Sequence, residues 1–155
     1  MRKIMALGAA LAGIVMALGL VVTSGSPALA CCRMQISEIY YNSPGSDTGS
    51  NSSLNAEWVQ LHNTSGSRIN LTGWILHDGG QKHIFKFGTY TIAAHGYVKI
   101  HTGKGSRTQT DRYWNLSWYV WNNTGDTATL KDNHNNVIGR CSYSDPSESH
   151  SYKIC

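Results

Sequence analysis

The feature that most constrains this chain is a repeated two-residue alternation of apolar and polar side chains, interrupted by clusters of Gly, Asn, Asp and Ser. A period of two sends alternate side chains to opposite faces of an extended strand, whereas a helix needs a period near 3.6. Met34 to Tyr41 reads as the first strand. Glu57 to His62 is a second, with Val59 and Leu61 on one face. Trp74 to His77, His83 to Phe87, Tyr90 to Ala93 and Tyr97 to His101 follow, then Tyr119 to Trp121, Asp126 to Lys131 and Val137 to Tyr143. Pro44 to Asn55 and Thr102 to Leu116 read as polar loops, and Asp132 to Asn136 as a hairpin connection. No later segment combines helical periodicity with caps. Short strands at this spacing point to an all-β fold, a two-sheet sandwich or a barrel. Val59, Leu61, Trp74, Leu76, Val98, Ile100, Ala128 and Leu130 supply the two apolar inner faces.

The N-terminal stretch differs in kind. Arg2 and Lys3 precede an uncharged run from Ile4 to Val22, and Ala28-Leu29-Ala30 offers a small-residue cleavage site before Cys31. This is the pattern of a secretory signal peptide. Residues 1–30 are expected to be removed, leaving residues 31–155 as one secreted, extracellular domain. A retained membrane anchor and a lipid-modified Cys31 are the alternatives. Loss of Arg2 and Lys3 lowers the formal net charge from +4 to +2, too small an excess to imply a nucleic-acid partner by itself. The cysteines, Cys31, Cys32, Cys141 and Cys155, all follow the cleavage site. An even number in an exported chain indicates disulfides, and the pairing expected is of Cys31 and Cys32 each with Cys141 or Cys155. The spacing lacks the paired CxxC of zinc sites, so neither metal nor cofactor is expected.

Four segments form an ordered series: Glu57-Trp58-Val59-Gln60-Leu61-His62-Asn63, then Ile69 to Asp78, Tyr90 to Ile100, and Trp121 to Leu130. The series resembles the lamin-tail domain in its secreted bacterial form, from about Gln35 to Tyr143. The resemblance implies an immunoglobulin-like two-sheet β-sandwich. It implies no catalytic residues, because that domain is known as a binding and structural module, associated in nuclear lamins with protein partners and DNA. The cysteines are not among the residues that carry the resemblance.

Candidate sites come from the residues themselves. His77, Asp78 and His83 bracket a turn and have the types to begin a metal site, although no HxH or HExxH spacing accompanies them. No G-x-S-x-G elbow marks a nucleophile. Glu57 shares a face with Val59 and Leu61, and reads as a strand-end carboxylate bonding amides of a neighbouring loop. Lys82, Lys86, Lys99, His101, Lys104, Arg107 and Arg112 are candidates for one polyanion-binding face, with Trp114 and Trp118 as stacking rings beside it. The expected function is a non-catalytic extracellular binding or adhesion module whose partner is DNA, an anionic cell-wall polymer or a protein. The alternatives are a small, possibly metal-assisted secreted hydrolase and a purely structural envelope protein.

Overall fold

The computed structural model describes residues 33–155. The expected signal segment, Cys31 and Cys32 lie outside the described residues. Strand β1 (Met34–Tyr40) pairs antiparallel with β2 (Trp58–Asn63), and a helix of one and a half turns, α1 (Asn51–Ala56), lies between them in sequence. Then come β3 (Ile69–Asn70), β4 (Ile75–His77), β5 (Ile84–Lys86), β6 (Thr91–Ile92) and β7 (Tyr97–His101). The chain ends with β8 (Asp111–Tyr113), β9 (Gly125–Lys131), β10 (Val137–Ser144) and β11 (Tyr152–Ile154). They form a five-stranded sheet, β11-β1-β2-β7-β8, a four-stranded sheet, β10-β9-β4-β5, and a small β3-β6 ribbon. This is an immunoglobulin-like β-sandwich, with β1 packed against β9 and β10 across the core.

The alternation places the core as expected. Val59, Leu61 and Asn63 of β2 point inward, while Trp58, Gln60 and His62 are partly exposed. Ile39, Val59, Leu61, Val98 and Ile100 meet Leu76, Ala128 and Leu130 across the interface, all without solvent exposure. Trp74 is buried beside them. A register shift between Ile36 and Glu38 lets both Ile36 and Ile39 face inward despite their odd spacing.

Several expectations need correction. The loop before β2 ends in α1, capped by Ser50, whose Oγ accepts from the Ser53 N–H at 3.3 Å. Only Leu54 of that helix is buried, so the segment is too short to show a period. The loop after β7 contains β8, which pairs parallel with β7. Tyr119 to Trp121 is not a strand: the amides of Val120 and Trp121 bond the Glu57 carboxylate at 2.9 and 3.2 Å. Cys141 and Cys155 form a disulfide with each other, their Cα atoms 5.8 Å apart, which overturns the expected pairing of each with Cys31 or Cys32. Cys141 lies on β10 at the edge of one sheet, and Cys155 follows β11 at the edge of the other. The bridge therefore joins the two sheets along one side of the sandwich.

Candidate functional site

The candidate side chains do not share one surface. Lys86, Arg107, Arg112 and Trp114 line one groove, of about 760 Å³, between β5 and the segment leading into β8. The parallel pairing of β7 with β8 sets Arg112 opposite Ile100, and the 107–112 segment faces β5 from there. The Arg112 guanidinium lies 3.9 Å from the centroid of the Tyr90 ring and donates to the carbonyls of Thr108 and Asp111. Partial burial pulls its pKa below the ordinary arginine value; the Tyr90 charge opposes this, and nearby Arg107 adds to it. Phe85, Trp114 and Trp121 form a chain of edge-to-face contacts, with centroids 5.9 and 6.0 Å apart, behind the groove. Among the described residues no carboxylate side chain lines it, although the charge of Asp111, which bonds His101, still acts on Arg112.

Lys82 and Trp118 belong to a second cleft, of about 500 Å³, at the turn end of the β4–β5 hairpin. Lys99 projects from the outer face of the five-stranded sheet, its Nζ 3.5 Å from the Trp58 ring centroid. His101 has both ring nitrogens engaged: Nδ1 with the Asn55 carbonyl at 2.7 Å and Nε2 with Asp111 at 3.1 Å. The backbone of Lys104 is clasped by Asn51 and Asn55. Trp114 is half-buried against the core, whereas Trp118 is 65% exposed. Phe85 and Tyr90 are groove residues that the sequence reading missed, because neighbours across a groove leave no periodic mark.

The chemical alternatives can be tested on geometry. His83 Nδ1 meets Asp78 Oδ2 at 3.2 Å, but His77 is buried and its Nδ1 bonds the Asp78 carbonyl at 2.7 Å. Among the described residues no group of three or more His, Cys, Asp or Glu is placed to hold a metal ion. A serine, a histidine and an aspartate do meet at Ser149, His150 and Asp145. Ser149 Oγ and Asp145 Oδ2 both approach His150 at the same nitrogen, Nδ1, at 3.0 and 3.5 Å. A proton relay needs the two partners on opposite nitrogens, so this cluster is a loop cap. Glu57 accepts from Thr102 Oγ1 at 2.6 Å as well as from two amides, and burial pushes its pKa up to about 7 against those bonds. Among the described residues no helix is long and apolar enough to cross a membrane.

No curated protein matches the chain. The model of the Lamin Tail Domain, a family of non-enzymatic immunoglobulin-like domains, matches residues 27–145, a span that includes β1 to β10 and most of the candidate side chains' scaffold, and the chain belongs to that family.

Proposed function

We propose that the protein is exported by its N-terminal segment and acts outside the cell as a non-catalytic binding or adhesion module for an anionic polymer, either DNA or a cell-wall polymer. The observation that carries this reading is the groove where Lys86, Arg107 and Arg112 converge without an opposing carboxylate among its lining side chains. Aromatic walls add stacking capacity for bases, while the cations take phosphates. The remaining candidates lie elsewhere, so the groove neutralises few charges. With about three phosphates contacted on duplex DNA, log K should fall with log salt at a slope of about −2 to −3. Among the described residues the only helix, α1, has six residues and is too short to read a groove, so base preference is not expected.

The test is a fluorescence titration of the purified protein with single- and double-stranded DNA and with inorganic polyphosphate, at several salt concentrations. A Lys86→Ala/Arg107→Ala variant should bind much more weakly. Equal binding by that variant, or no binding at low salt, removes the reading and leaves a protein ligand as the better candidate.

A further inference from the structure

We propose that the cleft at the turn end of the β4–β5 hairpin is a subsite for a neutral saccharide, with the Trp118 indole as its stacking platform. This indole is 65% exposed, yet it is held in place. It lies against Gly49, where a Cβ would stand 2.9 Å from the ring. The glycine has φ +68°, so any L side chain there would meet both backbone strain and the indole. The neighbouring Tyr119 hydroxyl meets Ser53 Oγ at 2.6 Å and accepts from the Gly49 N–H at 3.3 Å. The indole and the Tyr119 ring meet edge-on, with centroids 5.6 Å apart. Ring and support are thus pinned to one loop while much of the indole surface stays open to water.

The cleft beside the ring has the volume of a small-molecule site. Asn122 Nδ2 donates to Asp126 at 3.1 Å and Asn123 Nδ2 to Asp47 at 3.3 Å. Their amide oxygens accept no hydrogen bond from the described residues. Lys82 adds a cationic donor at the rim. Asp47, Asp78, Asp126 and Glu148 outnumber Lys82 and His83 here, so a phosphate- or carboxylate-bearing ligand is repelled. That separates this cleft from the groove of Lys86, Arg107 and Arg112, which no carboxylate among the described residues lines. What remains is a ligand with an apolar face for the indole and a hydroxyl edge for the carboxylates and amides. A neutral pyranose has both.

The probes are cellobiose, maltose and N,N′-diacetylchitobiose, titrated into the purified protein and followed by tryptophan fluorescence and saturation-transfer NMR. At least one should bind with a dissociation constant of roughly 0.1–10 mM. Trp118→Ala should weaken that binding roughly tenfold or more, and Trp118→Phe should retain part of it. The Lys86→Ala/Arg107→Ala variant alters the other groove and should leave it unchanged, so this test is independent of the polyanion reading. Absence of binding by all three sugars at about 50 mM overturns the proposal, as does undiminished binding by a folded Trp118→Ala variant.

Discussion

Glu57 at the entry to β2 and Asp145 just after β10 both gather donors from a neighbouring loop, yet the two regions answer pH in opposite directions. Glu57 is wholly buried and receives Thr102 Oγ1 and the amides of Val120 and Trp121. Desolvation outweighs these bonds and its pKa rises to about 7. Asp145 receives the Tyr41 hydroxyl, the hydroxyls of Ser147 and Ser149, and the amide of His150 at 2.8 Å. The His150 amide leads the causes that hold its carboxyl far below the ordinary carboxylate range, and with the serine bonds it outweighs the cost of desolvation. The same side-chain chemistry therefore anchors a core segment with a carboxyl that changes protonation near neutral pH and a surface loop with a firm anion. Both side chains are shielded from water, so the donors decide which: four bonds hold the Asp145 charge, whereas three do not offset desolvation at Glu57.

The largest expected effect comes from deleting the deeper anchor. Glu57→Ala leaves the Thr102 hydroxyl and two buried amides without their acceptor and opens a void, so denaturant unfolding should show a loss of about 3–5 kcal/mol. A loss under about 1 kcal/mol would mean that the carboxylate does not hold the 119–121 segment.

The pH profile sharpens the same contrast. A group whose pKa rises on folding holds its proton more tightly in the folded state. Its stabilisation is complete below the unfolded value of 4.5 and is lost as pH rises through about 7. The shift corresponds to about 3 kcal/mol. Stability measured between about pH 4.5 and pH 8 should decline by an amount of that order, and Glu57→Gln should flatten the decline. A wild-type curve with no such slope would place Glu57 with Asp145 as a permanent anion.

The Asp145 loop has a second restraint, since the disulfide closes residues 141 to 155 around it. A Cys141→Ser/Cys155→Ser variant should lose up to about 3 kcal/mol in denaturant or thermal unfolding. Unchanged stability would show that Asp145 and the β11 pairing hold the loop alone.

The smallest effect is expected from Asp145→Asn in the disulfide-intact protein. A depressed pKa stabilises above the unfolded value of 3.8 and is lost as pH falls, so the variant should be less stable at neutral pH and converge with wild type in acid. Cleaving the disulfide should enlarge the difference, because the two restraints hold one loop. A variant that tracked wild type at every pH would mean that the hydroxyl and amide bonds survive without the charge.

How much of this was legible beforehand depends on what kind of signal each feature leaves in a linear chain. Strands β1, β2, β7, β9 and β10 and the core side chains Val59, Leu61, Leu76, Ile100 and Leu130 were readable, because burying one face of a sheet forces a period of two into the residues themselves. The role of Glu57 was readable from its parity with Val59. Helix α1, strand β8 and strand β11 were not, since one and a half helical turns or three residues carry too little pattern. The pairing of Cys141 with Cys155 was decided by two sheet edges meeting in space, and the count of cysteines is silent on that. The candidate cations were expected on one face, but the parallel β7–β8 pairing and the β4–β5 hairpin separate them: Lys86, Arg107 and Arg112 line one groove, Lys82 another cleft, and Lys99 and Lys104 neither. Alternation determines which way a side chain points from its own strand; which other side chains it meets is set by strand order and packing, and those exist only once the chain has folded.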